Sequence, residues 1–142
     1  MYITGQIISF TRVWAMVKTV SLLTIRDKKL LVVLSKKHTL WTPPGGKLEP
    51  TDKNPKVALE REVFEELRVG LTNIQEHIGI SGISASGRPV YVYTYLADLA
   101  GDPVPANEIV GFRWIGYTKE ELETVSPVTR DIMSCMKAVG YF

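Results

Sequence analysis

Cysteine is nearly absent: Cys135 stands alone in 142 residues, so no internal disulfide can form and a disulfide-stapled scaffold is excluded. Histidine is as scarce. His38 and His77 have no partner motif and read as surface or structural residues. Long apolar runs are lacking too, because Arg26-Asp27-Lys28-Lys29 interrupts the one candidate stretch, residues 17–34. The opening MYITGQIISF has no basic segment before it and is diluted by Gly5, Gln6 and Ser9, so it does not read as a secretory leader. Together these absences predict a cytoplasmic chain with no membrane segment. With no repeat, linker or low-complexity tract, residues 1–142 are expected to form a single domain.

What is present is an average globular composition, 45% hydrophobic and 23% charged. The net charge of +2 hides an asymmetry: residues 1–40 carry Arg12, Lys18, Arg26, Lys28, Lys29, Lys36 and Lys37 against Asp27 alone, while the acids gather downstream. A basic surface beside an acidic cluster suits a phosphate ester, held partly by a metal and partly by Lys or Arg. The balance is only slightly basic and no RNA- or DNA-binding motif occurs, which argues against nucleic acid as a partner.

Residues 2–10 are expected to form a short strand at a sheet edge or in a homodimer contact. Val17–Ile25 and Leu30–Leu34 read as strands joined in a hairpin across the polar residues between them. Pro43-Pro44-Gly45-Gly46 breaks any regular element. Asn54 as N-cap and Pro55 at the first helical position then open a helix. On its wheel Val57, Leu59, Val63, Phe64 and Leu67 form one arc, opposite Glu62, Glu65 and Glu66. An end at Gly70 is expected, since ending on a left-handed Arg68 would cost roughly 1 kcal/mol.

Further on, strands are predicted over 74–83, 89–96 and 112–115, with turns at Ser84–Arg88 and a loop over 101–107. Thr118 and the Ser126-Pro127 pair open two helices, the second burying Cys135 among Ile132, Met133 and Met136. Tyr91, Tyr93 and Tyr95 share one strand face. Tyr93 and Trp41 are thus candidates for stacking on a nucleobase, with sheet core as the competing reading. The order of elements predicts an α/β/α sandwich with a mixed central sheet.

The chemistry concentrates in Arg61-Glu62-Val63-Phe64-Glu65-Glu66. Its three acids, at i, i+3 and i+4, share one helical face, and their mutual repulsion suggests a cation between them. This hexapeptide resembles the core of the Nudix box, G-x5-E-x7-R-E-U-x-E-E-x-G-U, where U is aliphatic. Gly45-Gly46-Lys47-Leu48-Glu49-Pro50, Trp41 and the Phe112–Ile115 and Glu120–Leu122 segments are also similar to their counterparts in Nudix hydrolases.

The resemblance implies an enzyme that hydrolyses the pyrophosphate linkage of a nucleoside diphosphate joined to another moiety: a nucleoside triphosphate, nucleotide sugar or dinucleotide. It implies Mg²⁺, replaceable by Mn²⁺, held by Glu62, Glu65, Glu66 and a carbonyl of Gly45 or Gly46. Arg61 would orient a motif glutamate, and Glu62, or secondly Glu108, would be general base. Lys36, Lys37, Trp41, Glu49 and Tyr93 complete the candidate substrate contacts.

Three departures from the pattern stand out. Asp52 occupies the first Glu position and is expected to be a loop or capping residue, eight rather than seven residues separate it from Arg61, and Arg68 replaces the terminal Gly. They motivate an alternative, a nucleotide-binding or regulatory module with weak or no catalysis.

Overall fold

The computed structural model describes residues 16–142, so the expected strand or dimer contact over residues 2–10 lies outside the described residues. The elements are β1 (Val17–Leu23), β2 (Ile25–Arg26), β3 (Lys29–Ser35), β4 (Gly45–Lys47), α1 (Pro55–Leu67), β5 (Leu71–Ile83), β6 (Pro89–Leu99), β7 (Ile109–Ile115), α2 (Lys119–Leu122) and α3 (Pro127–Ala138). The strands form a mixed sheet ordered β4-β1-β6-β5, in which β1 and β6 run parallel, and an antiparallel sheet ordered β2-β3-β7.

Period-two alternation explains the layering. Along β3, Leu31 and Val33 enter one core with Ala58, Leu59, Val63 and Leu67 of α1. Leu30 and Val32 enter the other, with Val128, Ile132, Met133 and Met136 of α3. A strand buried on both sides needs the unbroken apolar run that β3 has. The helices thus cover both faces, as the α/β/α reading requires, and no helix among the described residues is long and apolar enough to cross a membrane.

The expected hairpin survives only at its tip. β2 pairs with β3 through Asp27 and Lys28, both at positive φ (51° and 60°), the geometry a tight primed turn demands. β1, however, belongs to the other sheet, because the chain crosses over at Thr24. That residue's Oγ1 donates to the Ala97 carbonyl at 2.6 Å, and its own carbonyl accepts from Leu31 N at 3.0 Å. No ladder closes the space between β1 and β3, and both strands line the cavity described below.

Helix α1 begins as expected, with Asn54 Oδ1 accepting from Val57 N at 3.0 Å. Its buried stripe is narrower than predicted: Val57 is 39% and Phe64 52% exposed. These two positions are seven residues apart and so stack along one edge of the stripe, where the core ends. The helix also stops earlier, at Leu67, with Arg68 itself left-handed at φ 53°. A loop takes the final carbonyls. Val104 N donates to Leu67 O at 2.8 Å, Ala106 N to Glu66 O at 2.9 Å, and Asn107 Nδ2 to Glu65 O at 2.7 Å.

Arg68→Gly should therefore raise stability by about 0.5 kcal/mol, since relief of the left-handed strain is partly offset by losing the Arg68 guanidinium over the Phe64 ring. Urea midpoints test this, and an unchanged or lower midpoint would contradict the strain.

Cys135 is exposed, not buried. Helix α3 buries Val128, Thr129, Ile132, Met133 and Met136, and position 135 falls about a quarter-turn from the centre of that stripe.

Candidate active site

Two glycines bring β4 against the acids of α1. Gly46 pairs with Val20 and Gly45 with Ser21 of β1. A Cβ on Gly45 would strike the Val20 carbonyl, and one on Gly46 would come within 2.5 Å of the Glu62 carboxyl carbon. Gly45 N donates to Glu66 Oε1 at 3.0 Å. The i, i+4 spacing sets Glu62 and Glu66 one turn apart, facing this glycine strand.

Arg61 organises the acids around it. Its Nε reaches Asp52 Oδ1 at 3.1 Å and its Nη2 reaches Oδ2 at 2.9 Å, a bidentate fork. Nη1 donates to Glu62 Oε1 at 2.9 Å and Glu65 Oε1 at 3.4 Å, with Glu49 at 3.5 Å, and Nη2 also meets the Lys47 carbonyl at 3.3 Å. Asp52, which the sequence reading assigns to the loop or a cap, is thus the fork partner of Arg61, with a side chain only 5% exposed. It also accepts from Glu49 N at 2.7 Å, which folds the loop onto itself. An aspartate is one methylene shorter than the glutamate of the motif, and here it meets the Arg61 guanidinium nonetheless. The signal was its place six residues after Gly46.

The electrostatics follow from these contacts. The Arg61 hydrogen bond holds the Asp52 carboxyl below its usual range, and Asp52 in turn raises Arg61. Burial raises Glu62 despite Arg61. Burial also pushes Glu66 up to about 8, against the hydrogen bond from Gly45 and with added repulsion from Glu62, Glu108 and Glu65.

A cavity of about 700 Å³ opens beside these groups, with Gly45, Gly46, Glu49, Glu62, Glu66 and Glu108 at its acidic end. Glu108 arrives there from the loop that caps α1, and Lys37 Nζ lies 2.9 Å from its Oε2. Ser84, Ser86 and Arg88 of the β5–β6 turn, Ser126 at the N-cap of α3 and Thr129 within it also line the cavity.

Not every candidate converges. Glu65 is 49% exposed and outside the lining residues. Of the candidate substrate contacts, Lys37 and Glu49 line the cavity, whereas Lys36, Trp41 and Tyr93 do not. Trp41 lies under the Arg113 guanidinium at 4.5 Å, and Tyr93 packs against the α1 core, edge-on to Tyr91 at 5.1 Å.

Among the described residues no three acidic, His or Cys side chains form a ready-made cage. The donor set nonetheless fits a hard divalent cation. It is all oxygen, and in Glu66 it holds a carboxylate whose burial and like-charged neighbours oppose ionisation. A small hard cation of the magnesium type keeps waters and takes few carboxylates, so an open set suffices.

Asp52→Ala should weaken divalent-cation affinity about 10- to 100-fold, since Arg61 would then swing fully onto Glu62 and Glu65. Calorimetric titration checks it, and an unchanged affinity would remove Asp52 from the site's support.

A search of curated proteins finds no match to this chain. Solved structures do match. The solution structure of the E. coli ORF135 protein is 27% identical, with a TM-score of 0.68 over 87% of this chain and 90% of that one. A NUDIX hydrolase from Nitrosomonas europaea (21%, TM-score 0.72, 87% and 89%) and a C. elegans Ap4A hydrolase binary complex (21%, 0.69, 87% and 97%) share the fold. The NUDIX domain family model matches residues 16–134, which span both helical layers, the Arg61 network and Glu108. The chain belongs to the NUDIX family.

Proposed function

We propose that this Nudix-type pyrophosphohydrolase uses Mg²⁺, with Mn²⁺ able to substitute, to cleave a nucleoside diphosphate linked to another phosphorylated or sugar moiety. The observation that carries the reading is the opposition of Glu62 and Glu66 to Gly45–Gly46 at the acidic end of an open cavity. Glu62, Glu66 and the backbone oxygens of the glycine strand would hold the cation, with Glu65 available from the same helix. When bound, such a cation neutralises phosphate charge and lowers the pKa of water.

The chain's own groups do the rest. Arg61 fixes Glu62 through Oε1, which leaves Oε2 to take the proton of an attacking water. Burial makes Glu62 a stronger base than a solvated carboxylate. Glu108, at the same acidic end of the cavity, is the second candidate for that role. Water then attacks phosphorus and the bridging oxygen leaves with one phosphoryl group, giving a nucleoside monophosphate plus phosphate, pyrophosphate or a second phosphorylated product. The lone cysteine fits a reducing, cytoplasmic setting.

The test is a hydrolysis panel of nucleoside triphosphates, nucleotide sugars and dinucleoside polyphosphates, the last because one neighbour is an Ap4A hydrolase. Product release with Mg²⁺ or Mn²⁺, lost in chelator, is expected. Nucleotide binding with no product from any member would favour the binding-module alternative.

A further inference from the structure

Arg61 is fully engaged by Asp52, Glu62, Glu65, Glu49 and the Lys47 carbonyl, so it cannot greet a substrate. The remaining strong cations lining the cavity are Lys37, Lys47 and Arg88. Lys37 differs from the other two in being ion-paired to an acid of the same cavity, Glu108, at 2.9 Å.

The backbones around this pair are locked. Lys36 N donates to Glu108 O at 2.9 Å, Ser35 pairs with Ile109 across β3 and β7, and Ala106 and Asn107 are bonded to the last turn of α1. The side chains are not locked: they are 68% and 42% exposed, and an ion pair so exposed is weak. Phosphate oxygens carrying more charge than a carboxylate make stronger charge-assisted bonds to an ammonium.

We infer that Lys37 is a phosphate-binding residue which Glu108 holds in reserve, and that an arriving phosphate takes Lys37 from Glu108 and frees the Glu108 carboxylate into the cavity beside Glu66. The inference rests on the proposed reading of the cavity as a phosphate site. It adds the residue that first receives the substrate and makes Glu108 a competitor of the ligand in the free protein. Glu108 becomes available only once a phosphate is in place, so water activation by it would be coupled to occupancy.

The competition can be read without turnover and without metal, which separates its failure from failure of the hydrolase assignment. In chelator, inorganic pyrophosphate is titrated calorimetrically into wild type, Glu108→Gln, Lys37→Met and the double variant. Both side chains are exposed, and equal thermal melts verify folding.

Glu108→Gln should bind pyrophosphate about 3- to 10-fold more tightly, and Lys37→Met about 10-fold more weakly. In the Lys37→Met background the gain from Glu108→Gln should shrink below about 2-fold, because nothing remains to compete for. Lys37→Arg should retain most of the affinity. An equal gain in both backgrounds would mean that Glu108 merely repels anions, and would overturn the exchange. Unchanged affinity in Lys37→Met, or no pyrophosphate binding by wild type and Glu108→Gln alike, would overturn it too.

Discussion

Glu66→Gln is expected to lower turnover by roughly 100- to 1,000-fold while making the metal-free protein more stable above pH 8. The two effects have one cause. Glu66 is a carboxylate held out of water beside Glu62 and Glu108, an arrangement useful to a cation and unfavourable without one. Glutamine keeps the length of the side chain, and its oxygen can still accept from Gly45 N, so the cradle stays intact. The charge that draws the cation is gone. Glu65→Gln should also lower turnover but by less, since that side chain is half exposed and turned toward Arg61. Steady-state kinetics beside thermal melts in chelator decide the matter. Near-normal turnover in Glu66→Gln would remove the residue from the catalytic site.

The second large effect is an inverted pH profile of stability in the absence of metal. Glu66 has a folded pKa of about 8 against an ordinary 4.5, so between those values the folded state binds a proton that the unfolded state has released. Stability must then fall as pH rises through this window, by up to about 1.4 kcal/mol per pH unit, and level off above the folded pKa. Glu62, also raised, acts in the same direction. Asp52 and Glu121 are lowered, so their contributions are present at neutral pH and disappear only in acid, below the window in question.

A divalent cation should abolish the decline, and its affinity should rise by up to about tenfold per pH unit until Glu66 is ionised. Melting temperatures from pH 5.5 to 8.5, in chelator and in Mg²⁺, would show it. A metal-free profile that is flat or rises with pH would contradict the burial of this charge.

Local signals were legible in the sequence, and the reason is that their partners lie within one turn. Asn54 caps the amide of Val57 and Thr118 that of Glu121, contacts three residues long that composition alone announces. The shared face of Tyr93 and Tyr95 likewise needs only strand periodicity.

What stayed hidden depended on distant partners. The change of sheet at Thr24 is decided by the Ala97 carbonyl, 73 residues away. The left-handed Arg68 follows from the loop at Val104–Asn107, which claims the helix end before Gly70 can. At the site, helical spacing within Arg61–Glu66 was enough to place Glu62 and Glu66 on one face, and both line the cavity. The fork at Asp52 and the meeting of Lys37 with Glu108 required the fold to close a loop and dock a strand.

The β5–β6 turn has a further consequence for engineering. Ser84 N donates to Arg88 O, Gly87 N to Ser84 O, and the Ser84 and Ser86 hydroxyls bond to each other, so the turn is held by its own residues. The acids, by contrast, are braced by β4, the Asp52 loop and the segment that caps α1. The proposed chemistry and the 84–88 turn thus rest on separate sets of contacts, and exchanging residues 84–88 for loops of other length and charge should reshape that wall of the cavity while the Gly45–Glu66 and Asp52–Arg61 contacts stay in place.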